Sequence, residues 1–196
     1  MKIRLLFFLG SAALLLLIWS FFFFAPKKPA QERATLFSGP RKIAPFSFGE
    51  PLFSEKNFQR HWTFLFFGFS HCATICPTTL RELKEAYKDL HIHHPELQIV
   101  FVTLDPEEDQ PKILKHYTAS FNPDFIGLRG NAKQVQTLTQ QFAVFVGKAA
   151  DATMVHTSSV FLINPEGQWV AMFPYGLSSS QIQTQFKSIL KSTAHA

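Results

Sequence analysis

From Trp62 to Ile189 the chain alternates uncharged runs of strand length with segments whose apolar residues recur at helical spacing, and few folds accept that order. Trp62–Phe67, Ile99–Leu104 and Phe125–Leu128 are the first three runs. The segments between and after them place Leu80, Leu83, Tyr87 and Leu90, then Ile113, Leu114 and Tyr117, then Val135, Leu138, Phe142 and Phe145 at helical intervals. Val160–Ile163 and Gln168–Phe173 flank the turn sequence Asn164-Pro165-Glu166-Gly167, which predicts an antiparallel hairpin with a four-residue loop. Ile182, Phe186 and Ile189 mark a closing helix. The predicted order is β-α-β-α-β-α-β-β-α. Strands linked through helices should run parallel, and the final hairpin then makes the sheet mixed. The expectation is an α/β domain over residues 46–192, a mixed sheet flanked by helices.

Before it, Leu5 to Ala25 carries no charged residue. As a helix those positions would span roughly 30 Å, the thickness of a bilayer's hydrocarbon core. A cleavable signal has a shorter apolar stretch and ends in small residues, whereas this run ends in Phe-Phe-Phe-Phe-Ala-Pro. An uncleaved membrane anchor over residues 1–25 is favoured over a cleaved signal, with Trp19 and the Phe run at one interface. Lys2 and Arg4 precede the run and Lys27 and Lys28 follow it, so flanking charge hardly orients it. The very short tail before it predicts that the rest of the chain is exported. Residues 26–45, with Pro26, Pro29, Gly39-Pro40 and Pro45, read as a linker.

The formal charge of +5 could suggest a nucleic-acid partner. Residues 1–33 hold Lys2, Arg4, Lys27, Lys28 and Arg33 against Glu32 alone, a charge of +4, which leaves +1 for the rest. That is too little for a phosphate-tracking surface, and no nucleic acid is expected.

The chain has two cysteines, Cys72 and Cys76, directly after the first strand run and before Pro77. Proline is favoured at the first position of a helix, where its missing N–H is not needed, so Cys76 should stand at a helix N-terminus and Cys72 in the loop before it. Unpaired N–H groups and the helix dipole stabilise thiolates there, and a nucleophile and a metal ligand both need the thiolate. A structural disulfide is the plain alternative in an exported domain, but a bridge closing so small a loop constrains the unfolded chain little. Two thiolates do not complete a metal site, so histidines matter. His91, His93 and His94 read as a solvated turn before Pro95; His61, His116 and His195 have no partner signal; His71, beside Cys72, either tunes the thiolate or fills the turn. His156 stands just before the strand 160–163, where its own surroundings favour a structural role over a ligand.

Four segments in order resemble one family. They are Phe67-Gly68-Phe69-Ser70-His71-Cys72, Cys76-Pro77-Thr78-Thr79-Leu80, Val102-Thr103-Leu104-Asp105-Pro106-Glu107-Glu108-Asp109, and His156-Thr157 followed by Val160–Gly167. Together with the single N-terminal anchor they resemble the Sco/SenC copper chaperones over about residues 45–190. The resemblance implies a thioredoxin-like fold and a copper site, for Cu(I) and also Cu(II), formed by Cys72, Cys76 and His156. It implies delivery of copper to, or reduction of the cysteines of, the dinuclear copper site of cytochrome c oxidase. Partners would be the copper-bearing oxidase subunit and a thiol reductant or other copper carrier. The chain would sit in an inner membrane, single-pass, with its domain in the periplasm or the mitochondrial intermembrane space.

The chain departs from the family pattern. Ala73 and Thr74 replace a proline and an acid between the cysteines, Val155 replaces an Asp before the histidine, and Asn164 replaces an Asp in the hairpin turn. A glycine-rich hairpin usual before the first core strand looks shortened around Phe46–Lys56. These changes remove negative charge near the site and no ligand. The competing function is a membrane-anchored thiol–disulfide oxidoreductase. Against it, the spacer is one residue longer than C-x-x-C, and no proline stands at His156-Thr157. A peroxidase would need neighbours that Thr79 and Arg81 do not reproduce.

Overall fold

The computed structural model describes residues 33–49, 52–148 and 154–193. The run Leu5–Ala25, expected as an anchor, lies outside them. Among the described residues no helix is long and apolar enough to cross a membrane.

Ten strands and four α-helices are described: β1 (Thr35–Lys42), β2 (Ser47–Phe48), β3 (Phe53–Ser54), β4 (Trp62–Gly68), α1 (Ile75–His93), β5 (Leu97–Thr103), α2 (Pro111–Phe121), β6 (Ile126–Leu128), α3 (Ala132–Gln141), β7 (Val146–Lys148), β8 (Met154–His156), β9 (Val160–Ile163), β10 (Gln168–Phe173) and α4 (Ser179–Thr193). The main sheet runs β1-β10-β9-β4-β5-β6. β4, β5 and β6 are parallel, and β9, β10 and β1 antiparallel, as the mixed-sheet expectation required.

β4 is apolar almost throughout because the sheet is covered on both faces. Side chains alternate across a strand. Thus Phe64 and Phe66 join Leu80, Leu83, Leu114, Ile182 and Phe186 on the side of α1, α2 and α4. Leu65 and Phe67 join Val135, Leu138 and Phe142 from the α3 side, with Phe48, Phe53 and Phe58. The twelve largest fully buried side chains include ten phenylalanines, which explains the phenylalanine-rich composition beyond the N-terminal run. The predicted closing hairpin is present with the predicted bounds, and Gly167, at φ +73, occupies the left-handed region its turn needs.

Three features differ from expectation. Eight residues of the stretch read as a linker are strand: β1 pairs with β10 at Thr35, Leu36, Arg41 and Lys42, bulging between. Its residues are mostly exposed, as on an edge, so no apolar alternation announced it. The hairpin around Phe46–Lys56 does not differ: it is short, as expected, and is the two-residue pair β2–β3. The helix marked by Val135 and Leu138 ends at Gln141, with Phe142 as its buried C-cap; Phe145 is exposed and leads into β7. The β7–β8 ribbon was not expected. Its strands are three residues each, too short for a periodic signal.

Candidate metal centre

α1 begins at Ile75, with Thr74 as N-cap, and its first intrahelical bond runs from Thr78 N to Thr74 O at 3.1 Å. Cys76 is therefore the second residue of the helix, not its cap. Pro77 fits the third position, since the first N–H groups of a helix have no intrahelical partner. Thr74 makes no side-chain cap bond. The Cys72 sulfur takes that place, accepting from Cys76 N–H at 3.4 Å.

The two thiols are consequently unequal. Burial pulls the Cys72 thiol up, but the N–H groups of Cys76, Thr74 and Ile75 and the Cys76 thiol outweigh it, and its pKa lies below the ordinary thiol value. Cys76 is fully buried in the α1-side core. Desolvation pushes its thiol far up, against the Phe69 backbone bond, and the neighbouring Cys72 and Asp109 charges add to the rise. The sequence expectation that the helix end would activate both cysteines holds for Cys72 alone. Both stand as free thiols.

His156 ends β8, and Val146, its partner on β7, holds that strand beside it. Thr157 N–H donates to Phe145 O and Phe145 N–H to Thr157 Oγ1, both at 3.0 Å, closing the ribbon. β9 then starts at Val160, opposite Phe66 of β4, which carries His156 to the carboxyl end of β4 above the cysteines. Its Nδ1 lies 2.8 Å from Thr157 O. A carbonyl only accepts, so Nδ1 carries the proton and Nε2 keeps its lone pair. Nε2 sits 3.7 Å from Cys76 Sγ, so the thiol donates to it. Burial lowers the imidazole pKa, partly opposed by the Thr157 bond, and keeps the ring neutral near pH 7. Phe66 and Phe69 wall it, with ring centroids 6.3 and 5.7 Å away.

Cys72–Cys76 and Cys76–His156 are two pairwise contacts sharing Cys76. Among the described residues no three His, Cys, Asp or Glu side chains are already gathered closely enough to hold a metal ion. The donor chemistry fits a soft metal: two sulfurs and one imidazole nitrogen with a free lone pair. The backbone carbonyl bond at Nδ1 is the outer support typical of ligating histidines.

Three residues around the pair had no assigned role in the sequence. Gly68 ends β4, and a Cβ there would meet Cys76 Sγ at 2.8 Å and the Phe101 ring at 2.9 Å, so the glycine makes room for the sulfur. Asp109 is fully buried and holds Ser70, in the cysteine loop, and Thr103, at the end of β5. Both lie in the motif segments, but their burial could not be read from spacing. The Tyr117 hydroxyl is buried without a hydrogen-bond partner among the described residues, and desolvation followed by the Cys76 and Cys72 charges raises its pKa. His71 reaches Asp105, 3.5 Å away, and packs against the Phe69 ring at a tilt of 41°. His94 pairs with Glu96 at 3.4 Å, His61 bonds Glu96 O at 3.0 Å, and His91 stacks on Tyr87. Ala73, Thr74 and Val155 are exposed.

The profile of the SCO1/SenC family matches residues 40–191. The SCO2-like protein RP587 of Rickettsia prowazekii is 32% identical over 174 residues, covering 83% of this chain and 84% of its own. Apo Sco1 from Thermus thermophilus superposes with a TM-score of 0.72 at 28% identity, over 82% of this chain and 99% of that one. Yeast Sco1 solved with copper bound gives 0.70 at 29% identity, over 78% and 90%. The thioredoxin-like mixed α/β fold is thus the fold of the Sco structures.

Proposed function

The chain belongs to the SCO1/SenC family, and from that premise we propose that it binds one copper ion through Cys72, Cys76 and His156 and hands it on as cargo. The observation that supports the reading is that Cys76 lies beside both other donors, its N–H 3.4 Å from Cys72 Sγ and its sulfur 3.7 Å from His156 Nε2. Thiolates select Cu(I), and imidazole suits copper in both oxidation states. Binding draws Cys72 and His156 in around Cys76 and releases the thiol protons. A three-ligand set leaves the ion under-coordinated, which suits transfer. Copper in a yeast relative of the same fold supports the choice of metal. The recipient, following the family resemblance, is the dinuclear copper site of cytochrome c oxidase, reached from a domain tethered by residues 1–25 to the inner membrane and exposed to the periplasm or intermembrane space.

The second reading is a thiol–disulfide oxidoreductase acting on that recipient's cysteines. It is favoured by the inequality of the thiols: a partly exposed, thiolate-prone Cys72 to attack and a buried Cys76 to resolve. Reduced protein is loaded with Cu(I) or Cu(II), and bound metal is counted for wild type, Cys72→Ser, Cys76→Ser and His156→Ala. One copper per wild-type chain, sulfur-to-copper charge-transfer bands with Cu(II), and loss in each variant are expected. Unchanged binding in His156→Ala removes that residue from the site. No copper in the reduced wild type, with rapid disulfide exchange, favours the second reading.

A further inference from the structure

The β7–β8 ribbon departs from a regular ladder at one bond. Its register sets Val146 opposite His156, Gly147 opposite Val155 and Lys148 opposite Met154, so one step further Phe145 faces Thr157. In a hydrogen-bonded antiparallel pair the two residues exchange both main-chain bonds, each N–H donating to the other's carbonyl. Thr157 N–H makes its half of that exchange, donating to Phe145 O at 3.0 Å. Phe145 N–H returns the bond to the Thr157 hydroxyl oxygen instead, also at 3.0 Å. The Thr157 carbonyl accepts from His156 Nδ1–H at 2.8 Å. Short hydroxyl side chains compete with main-chain partners in this way because they reach the same N–H groups. The branched Cβ of threonine leaves its hydroxyl few rotamers, which holds the substitution in place.

We propose that Thr157 is a positioning residue for His156: its hydroxyl takes the place of its own carbonyl in the ribbon, and the released carbonyl holds the imidazole with Nδ1 protonated and the Nε2 lone pair facing Cys76. The use of that lone pair as a nitrogen donor rests on the copper reading; the placement of the proton does not. A neutral imidazole carries its one N–H on either nitrogen, and a carbonyl only accepts, so the nitrogen that meets Thr157 O is the protonated one. Nε2 then stands 3.7 Å from Cys76 Sγ with its lone pair free. With the proton on Nε2, no lone pair would face the sulfur. An aliphatic side chain at position 157 leaves Phe145 N–H no acceptor there except the carbonyl. The carbonyl then turns across the ribbon to complete the regular pair, and His156 Nδ1–H loses its acceptor. The ribbon keeps both of its cross-strand bonds, so the change falls on the ring and not on the fold.

Full-length, reduced, metal-free protein with heavy nitrogen in its histidines is studied in detergent at pH 7.5. Long-range proton–nitrogen correlation spectra separate the two tautomers of a neutral ring, and His156→Gln identifies the signal by its loss. Wild type is expected to carry the proton on Nδ1. Thr157→Val and Thr157→Ala both lack the hydroxyl. In either one that melts cooperatively, the ratio of Nδ1–H to Nε2–H should fall about fivefold, the weight of one net hydrogen bond. Thr157→Ser keeps the hydroxyl and should stay within about twofold of wild type. A wild-type ring protonated on Nε2, a folded hydroxyl-free variant within about twofold of wild type, or a Thr157→Ser shift as large as that of Thr157→Val overturns the proposal. Failure of both hydroxyl-free variants to fold also overturns it, assigning Thr157 to the scaffold alone. Because no metal is present, absent copper binding in the wild type would refute the chaperone reading and leave this result standing.

Discussion

Gly68→Ala tests whether the Cys76 sulfur is placed by the backbone of β4. The added methyl would lie 2.8 Å from Cys76 Sγ, and 2.9 and 3.2 Å from two Phe101 ring atoms. To reach ordinary contact at 3.4 Å the sulfur must retreat by about 0.6 Å. Neither neighbour yields easily. Cys76 is fixed in the first turn of α1, and the Phe101 ring is backed by Phe66 and Tyr117 at centroid distances of 5.9 and 5.6 Å. Overpacking of this kind costs about 1–3 kcal/mol, and removing glycine's freedom in the unfolded chain returns about 0.4–1 kcal/mol. The net loss is about 1–2 kcal/mol, a fall of about 3–6 °C in melting temperature for a domain of this size. Thermal and urea unfolding of the reduced, metal-free protein measure it. Gly39→Ala is the control, because a Cβ there meets nothing within 4 Å and should be neutral to about 0.5 kcal/mol. A Gly68→Ala protein as stable as that control would refute the argument that this glycine is kept for the sulfur.

Under native conditions iodoacetamide should alkylate Cys72 at least about tenfold faster than Cys76, read by peptide mass spectrometry; equal rates would contradict the inequality of the thiols. His156 has a folded pKa below its unfolded value near 6.5. Its contribution to stability is therefore full above that pH and is lost as the unfolded chain takes up a proton on acidification. Urea midpoints of wild type and His156→Gln at pH 7.5 and 5.5 should converge, or cross, at the lower pH; a constant difference would count against a buried neutral ring. Asn131→Ala removes the capping box of α3, in which Asn131 and Gln134 exchange side-chain bonds at 3.0 and 2.8 Å, and should lower stability by about 1 kcal/mol in the same assay.

Much of the scaffold was legible because its signals are local. A strand buried on both faces needs an apolar run, as in Trp62–Phe67, and a helix packed on one side repeats Leu80, Leu83, Tyr87 and Leu90. The turn of the last hairpin needs Gly167. The cysteines too were placed beside a helix start by Pro77. Elements without periodicity escaped: β1 because an edge strand is mostly wet, β7 and β8 because three residues carry no period.

By itself the sequence determined a mixed α/β sheet, a thiol pair at the head of its first long helix, and a family resemblance naming His156. The tertiary structure decided how those groups meet. It carries His156 across 80 positions to Cys76, because the β7–β8 ribbon and the pairing of β9 with β4 end at the same corner. It also makes Cys72 the poised thiol and Cys76 the buried one, and ties the cysteine loop to the end of β5 through Asp109. A residue's chemistry follows from its type, but its solvation and its neighbours come from segments distant in the chain, and those set which sulfur carries charge.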